Sequence, residues 1–177
     1  MPKPGSLPSM APIAQLAYVP SDFDATVKYW TETMGVGPFF LIENIALDDM
    51  RYRGEPTEAR FTVAIAYWGD VQIELVKAEN DAPAHYNGEY GVKDQLHHVL
   101  QIVDDFDAAA AEVERKGGEA IVSGGFGGGK VAYFDMGAGP GGLVEVLEPA
   151  EGAQDLFDMI KQAGIDWDGS DPIRKLG

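Results

Sequence analysis

Apolar and polar residues alternate along eight short segments of the chain, which is the pattern of half-buried β-strands. Two other segments repeat apolar residues every three to four positions, which is the spacing of an amphipathic helix. The first of them carries Phe23, Val27, Trp30 and Met34 on a single face. The alternating segments lie near residues 12–19, 39–47, 60–68, 71–78, 97–103, 119–123, 130–136 and 142–148.

The order of these elements repeats along the chain. The tetrapeptide Asp22–Ala25 recurs unchanged as Asp105–Ala108, 83 positions later, and each copy begins the helix of a β-α-β-β-β unit. The second unit is 12 residues shorter, between its second and third strands. A four-stranded sheet with one helix must also cover its other face. We therefore predict an α+β fold in which two tandem βαβββ modules form an eight-stranded cupped sheet, with outer helices and an inner cavity.

The repeat also predicts how the chain is divided. Prolines argue against a helix in the first ten residues. A last helix, near 153–163, carries Leu156, Phe157 and Ile160 at helical spacing and is predicted to pack outside the repeat. We predict a flexible arm over 1–10, a first module over 11–80, a linker over 81–96, a second module over 97–150, and a C-terminal helix and tail over 151–177, all in one structural domain.

Charge and composition exclude several classes of protein. The chain has 177 residues, of which 13 are basic and 29 acidic, giving a formal net charge of −16 at pH 7. Such a chain repels nucleic-acid phosphates, so we expect no nucleic-acid partner. It has no cysteine, which excludes disulfides, thiolate nucleophiles and cysteine zinc sites. No stretch has the roughly 20 apolar residues that span a bilayer. The N-terminus lacks the apolar segment of a secretory signal, so we expect a cytoplasmic protein without a membrane partner.

Polar residues interrupt otherwise apolar strands at positions that the repeat relates. Gln15 and His98 are equivalent in the first strand of each module, and Glu74 and Glu145 in the last strand. Each alone is compatible with a solvent-facing strand position, but as two matched pairs they point to the cavity. Burying two carboxylates side by side is costly unless a cation neutralises them. One divalent ion of zinc, nickel, cobalt, manganese or iron suits these oxygen and nitrogen ligands.

A β-α-β-β-β repeat with such a residue in the first and last strand of each half resembles the vicinal oxygen chelate superfamily. Its members include glyoxalase I, methylmalonyl-CoA epimerase, extradiol dioxygenases and bleomycin resistance proteins. The resemblance covers residues 11–150. It is clearest with the glyoxalase and epimerase branch, in AYVPSDFDATVKYWTETMGVGPF, in the histidine pair at 97 and 98, and in GGLVEVLEP. The superfamily's metal positions fall on Gln15, Glu74, His98 and Glu145.

The resemblance implies a metal-dependent isomerase, lyase or epimerase that acts on a small molecule. The metal stabilises the enolate or enediolate formed when a proton leaves the carbon next to a carbonyl group. We assign the general base to Glu145 and its partner across the metal to Glu74. The order Gln, Glu, His, Glu is similar to one class of glyoxalase I, whereas methylmalonyl-CoA epimerases show His, Gln, His, Glu. Members often dimerise, and exposed sheet edges invite pairing, so we expect a homodimer.

Two other functions stay open on the sequence alone. An extradiol ring-cleaving dioxygenase needs two histidines and one carboxylate, and Gln15 stands where the first histidine is needed. A metal-free small-molecule binding or resistance protein has no need of four ligand positions. The substrate is not identified, because Arg51, Arg53 and Arg60 form no convincing clamp for the carboxylates of glutathione.

Three further features have a plainer interpretation. Residues 124–130 match the phosphate-loop spacing G-x-x-x-x-G-K, but a strand follows where a helix is needed. We predict a flexible loop there, with a lid tipped by Phe126 as the alternative. Strand alternation points His97 to the face opposite His98, as a packed histidine. His85, in the linker, is expected at the surface.

Overall fold

The computed structural model describes residues 6–176, and a single sheet of eleven strands lies at the centre of the molecule. The strands are β1 (Gln15–Tyr18), β2 (Phe39–Ile45), β3 (Asp48–Tyr52), β4 (Glu55–Pro56), β5 (Phe61–Trp68), β6 (Val71–Ala78), β7 (Leu96–Ile102), β8 (Glu119–Phe126), β9 (Gly129–Asp135), β10 (Leu143–Glu148) and β11 (Ile173–Lys175). The helices are α1 (Leu7–Met10), α2 (Phe23–Lys28), which a π-helical turn (Tyr29–Thr33) extends, α3 (Phe106–Arg115) and α4 (Ala153–Gly164). The order of strands across the sheet is β11-β2-β5-β6-β1-β7-β10-β9-β8-β3-β4.

The two modules meet at the centre of this sheet, where β1 and β7 pair antiparallel. In each module the first strand pairs in parallel with the last, β1 with β6 and β7 with β10, and the other strands continue outward antiparallel. The predicted α+β class, the two βαβββ modules and the eight strands of the repeat are confirmed. The short strands β3, β4 and β11 are additional to the prediction.

The hairpin of β3 and β4 explains why the first module is longer than the second. β3 pairs with β8 of the second module, although it follows β2 of the first after only two residues. A connection of that length reaches about 10 Å at most, so the far ends of the sheet lie close together. Leu47, in the connection, accordingly packs against the inner apolar clusters of both modules. The sheet therefore curls into an almost closed cup around its inner face.

The two faces of the sheet bury different residues because side chains alternate along each strand. On β5, Val63 and Ile65 belong to the inner cluster, whereas Ala64 and Ala66 pack with Val27 of α2 on the outer face. Helix α3 covers the outer face of the second module in the same way. None of the helices in residues 6–176 combines the length and apolar character needed to cross a membrane.

Helix α4 lies over the inner face, so the prediction that it packs outside the repeat is wrong. Leu156 and Ile160 pack with Phe61, Val63 and Ile65, which are inner-face residues. The outer face is already covered by α2 and α3, and the apolar side of α4 is buried where the cup is still open. Helix α4 thus forms part of the wall of the cavity.

The N-terminal segment also differs from the expected arm. Residues 1–5 lie outside the described part of the chain, but Leu7–Met10 form one helical turn. Pro8 is tolerated there because the first helical positions have no intrahelical partner for their N–H groups. The side-chain amide of Gln101 donates to the carbonyls of Leu7 and Ala11, and this fixes the segment to β7.

The glycine-rich segment at 124–130 is a tight hairpin, and the loop predicted there is reduced to the two residues between its strands. Strand β8 continues to Phe126, and β9 starts again at Gly129. The two residues between them, Gly127 and Gly128, have φ of 60° and 98°, which is the region that glycine adopts without strain. The ring of Phe126 lies at the tip, 44% exposed, and contributes to the cavity wall.

The caps of α2 and α3 give a test of the repeat. Asp22 and Asp105 each accept a hydrogen bond from the N–H three residues on, at 2.9 and 3.0 Å. Replacing either by alanine should lower the free energy of unfolding by about 1 kcal/mol. Asp104→Ala is the matched control and should change it much less, since its neighbour Asp105 holds the cap. Urea denaturation measures both, and an equal loss in Asp104→Ala would contradict the assignment.

Candidate metal centre

Strands β6, β1, β7 and β10 bring the four predicted ligands onto two adjacent rows at the centre of the sheet. Residues two positions apart on a strand point to the same face, so both rows project inward. The two rows are related by the same approximate twofold symmetry that relates the modules. Across the four strands, the first row is Gln72, Gln15, Leu100 and Glu145, and the second is Glu74, Ala17, His98 and Leu143.

His98 is the point on which the two carboxylates converge. Its Nε2 lies 3.1 Å from Oε2 of Glu145 and 3.4 Å from Oε2 of Glu74. The imidazole is fully buried, and the glutamates are 6% and 8% exposed. Both contacts are ion pairs when His98 is protonated, and His98 Nε2 and Glu74 Oε2 have no further hydrogen-bond partner in the described residues. One imidazole therefore faces two carboxylates in a nearly dry site, and its single positive charge cannot neutralise both of them.

His97 fixes which nitrogen of His98 faces the carboxylates. The Nε2 of His97 lies 2.9 Å from the carbonyl oxygen of His85, which can only accept, so this nitrogen carries the proton. Burial lowers the pKa of His97 to about 3, so its ring is neutral and its Nδ1 is an acceptor. That Nδ1 lies 2.9 Å from Nδ1 of His98, which must donate. Deprotonation of His98 then leaves the Nε2 lone pair directed at Glu74 and Glu145.

A β-bulge explains how two consecutive histidines come together. Ala17 pairs with His98, but the next residue of β1, Tyr18, pairs with Leu96, so β7 carries one extra residue at His97. The bulge breaks strand alternation, and the prediction that His97 points away from His98 is wrong. His85 is also fully buried rather than at the surface, with its ring 3.8 Å from that of Tyr86, centre to centre.

Gln15 is oriented by a chain of side-chain hydrogen bonds that the sequence analysis did not anticipate. Its Nε2 donates to Oε1 of Gln72 at 2.9 Å, and Nε2 of Gln72 donates to the hydroxyl of Tyr67 at 2.7 Å. Oε1 of Gln15 is consequently left buried and without a partner among residues 6–176. The alternation that placed Glu74 on the inner face also places Gln72 there, so this signal was available in the sequence.

These unpartnered atoms fit a divalent cation. Gln15 Oε1, Glu74 Oε2 and His98 Nε2 are all lone-pair donors once His98 is deprotonated. Two ligands about 2.1 Å from one ion lie about 3.0–3.4 Å apart, which matches the separations at His98. As they stand, however, the described residues include no group of three or more His, Cys, Asp or Glu side chains placed so as to hold a metal ion. The carboxylates gather instead around the imidazole, and a cation would take the place of the proton on it.

The charges of the site depend on this proton. Burial alone lowers the pKa of His98, but the adjacent carboxylates of Glu145 and Glu74 outweigh it and raise the pKa to about 9. Burial raises the pKa of Glu74, against the opposing effect of His98. Without a metal, two carboxylates and one imidazolium sum to −1. With a divalent ion and a neutral imidazole they sum to zero, and a net charge of zero costs less electrostatic free energy in a site of low dielectric constant.

The site opens into a cavity of ≈ 290 Å³ on the inner face of the sheet. Gln15, Gln72, Glu74 and Glu145 form its polar floor. Tyr133 stands beside Glu145 on the neighbouring strand, and its hydroxyl lies 3.2 Å from that of Tyr86. Burial and the nearby glutamates raise the pKa of Tyr133 well above its ordinary value, so it stays protonated.

The metal-free protein should lose stability as the pH rises from about 6.5 to about 9. The pKa of His98 is about 9 in the folded protein and about 6.5 in an unfolded chain. Protonation thus stabilises the fold fully below pH 6.5, and this contribution, on the order of 3 kcal/mol, is lost as the pH passes 9. Thermal unfolding in a chelator across this range measures it. His98→Gln should remove this dependence, and an unchanged dependence in that variant would contradict the assignment.

Comparisons with known proteins agree with this architecture. A sequence search of curated proteins finds no match. Solved structures of similar fold include a hypothetical protein from Bacillus halodurans C-125, with a TM-score of 0.55 and 16% identity over 79% of this chain and 95% of that chain. Methylmalonyl-CoA epimerase from Mycobacterium tuberculosis has a TM-score of 0.51 and 14% identity, over 82% of this chain and 93% of that chain. A variant of methylmalonyl-CoA epimerase from Streptomyces coelicolor, in complex with 2-nitronate-propionyl-CoA, has a TM-score of 0.51 and 16% identity, over 80% of this chain and 96% of that chain.

At these identities the solved structures support the fold alone. The family evidence is stronger, because residues 14–133 match the model of one family, which is more than half of the chain. The matched region begins just before β1 and includes Gln15, Glu74 and His98. The protein therefore belongs to the glyoxalase/bleomycin resistance protein/dioxygenase superfamily.

Proposed function

We propose that this protein is a metal-dependent isomerase or lyase that transfers a proton at the carbon next to a carbonyl group. The observation that carries the proposal is the set of buried, unpartnered donor atoms at the cavity floor. Gln15, Glu74, His98 and Glu145 would hold one divalent ion. When bound, such an ion supplies a positive charge that stabilises the negative charge developing on a substrate oxygen. The choice among zinc, nickel, cobalt, manganese and iron is left to metal analysis.

Glu145 is our choice of general base. Its carboxylate lines the cavity floor and is 6% exposed, so it can contact a substrate bound in the cavity. Glu74 approaches the same imidazole nitrogen from the other module. One carboxylate on each side of the site permits removal of a proton from one face of a carbon and its return to the other. This arrangement suits an epimerase as well as an isomerase of the glyoxalase I kind.

The histidine arrangement weighs against a ring-cleaving dioxygenase. That chemistry needs two histidine ligands and one carboxylate. His97 is the second imidazole beside the site, but both of its nitrogens are engaged, by His98 and by the carbonyl of His85. A metal-free binding protein is disfavoured for a different reason, because nothing in such a protein would satisfy the donor atoms at the cavity floor.

Metal binding should depend on the four proposed ligands. Elemental analysis of the purified protein is expected to find one divalent ion per chain. His98→Ala should weaken metal binding at least ~100-fold, since loss of a direct ligand costs no less than loss of an outer hydrogen-bond partner. Glu114→Gln, which changes an exposed carboxylate on α3, is the control and should bind metal as the parent does. Full metal occupancy in His98→Ala would refute the ligand assignment.

Glu145→Gln should separate metal binding from proton transfer. Glutamine keeps a ligand oxygen of similar shape but has almost no affinity for a proton. Metal should stay bound, while turnover falls by roughly 10²–10⁴, the usual contribution of a general base. In deuterated water, deuterium incorporation at the substrate carbon should fall by the same factor. Turnover and exchange at the parent rate in metal-loaded Glu145→Gln would exclude Glu145 as the base.

A further inference from the structure

The ionisable side chains around the cavity carry negative charge or none. Three of the lining residues are glutamates, Glu74 and Glu145 at the floor and Glu151, which is exposed, at the rim. Tyr133 lines the wall with its proton in place. Among the described residues, no lysine, arginine or histidine lines this cavity. An anionic substrate group would therefore lack a counterion from the protein at every depth of the cavity.

Three cations adjoin lining residues in sequence. Arg60, next to Phe61 of the wall, donates from Nη1 to the carbonyl oxygen of Asn44 at 3.5 Å. Lys130, next to Val131 of the wall, contacts both carboxylate oxygens of Asp107 at 2.9 and 3.0 Å. Lys161, next to Ile160, lies 2.6 Å from the carboxylate of Asp70. The two lysine pairs are exposed, and none of the three cations lines the cavity.

The remaining wall is apolar. Residues of the sheet and of α4 enclose the space above the polar floor, among them Ile42, Phe61, Leu147, Phe157 and Ile160. An apolar cavity of about 150 Å³ holds one benzene ring. The ≈ 290 Å³ available here thus suits about ten to twelve non-hydrogen atoms of an apolar body, with any polar group directed to the floor.

We propose that the substrate is an uncharged, mainly apolar carbonyl compound with a second oxygen beside the carbonyl, such as an aryl or alkyl α-hydroxy ketone. This inference rests on the proposed function for the two oxygens, which face Gln15, Glu74 and Glu145. The apolar body contacts the wall, where burial of apolar surface supplies the binding free energy. A carboxylate or phosphate in the same position loses its hydration without gaining a partner. The proposed substrate class therefore excludes acyl-CoA thioesters and glutathione conjugates.

A matched pair of ligands tests this inference. Metal-loaded protein is titrated calorimetrically with 2-hydroxyacetophenone and with its 4-carboxylate, which carries one additional anionic group at the far end of the ring. The neutral ketone should bind at least about 10-fold more tightly. Glu151→Lys, at the exposed rim, should tighten binding of the carboxylate about 3- to 10-fold, the effect of one reversed charge at short range. Glu114→Lys, on the outer surface, makes the same change in net charge and should leave both affinities unchanged.

Deuterium exchange separates this inference from the proposed function. If the neutral ketone binds selectively but its α-carbon acquires no solvent deuterium, the proton-transfer function fails and the ligand class stands. If exchange occurs equally well on the carboxylate or on methylmalonyl-CoA, the function stands and the inference is overturned. Binding of the carboxylate as tightly as the ketone, or failure of the ketone to bind at millimolar concentration, would also overturn it.

Discussion

The burial of two glutamates beside one histidine, at the point where the two modules meet, is the constraint on which the rest of the site depends. A single carboxylate against an imidazolium would be a satisfied ion pair. A second carboxylate leaves a negative charge in excess, and the symmetry of the repeat supplies that second carboxylate, because Glu74 and Glu145 occupy equivalent strands. The excess is costly in a dry site unless a cation of higher charge replaces the proton on His98. The fold thus buries an excess negative charge that a bound divalent ion would neutralise.

The surrounding structure makes the site dry and fixes its donor atoms. The β3–β4 hairpin brings the ends of the sheet together, and α4 covers the opening that remains. The bulge at His97 lets His97 accept a hydrogen bond from Nδ1 of His98, so that, when His98 is deprotonated, the nitrogen facing the carboxylates is the one with the free lone pair. Gln72 likewise fixes the orientation of the Gln15 amide, because its Oε1 accepts a hydrogen bond from Nε2 of Gln15. Oriented donors of this kind bind a metal without first having to reorganise.

The sequence was sufficient for the repeat, and the repeat was sufficient for the eight principal strands and for the placement of Gln15, Glu74, His98 and Glu145 at the centre of the sheet. The strands and these residues both follow from the local alternation of apolar and polar positions, which can be seen in one sequence. The sequence could not place α4, because an amphipathic helix packs equally well on any apolar face that is free. Nor could it reveal the bulge, since one extra residue in β7 becomes visible only against its partner β1. The 12-residue difference between the modules was visible, but its meaning, a hairpin that pairs across the cup, depends on tertiary closure.

The account predicts that a cation, and not a proton, is the partner of both carboxylates in the working protein. X-ray diffraction from crystals saturated with zinc or manganese, collected at the absorption edge of that metal, tests this most directly. The predicted result is one anomalous peak bounded by the side chains of Gln15, Glu74, His98 and Glu145, with the Nδ1 contact between His97 and His98 retained. The account would be contradicted by a peak elsewhere in the molecule, or by saturated crystals in which both carboxylates still face a protonated His98.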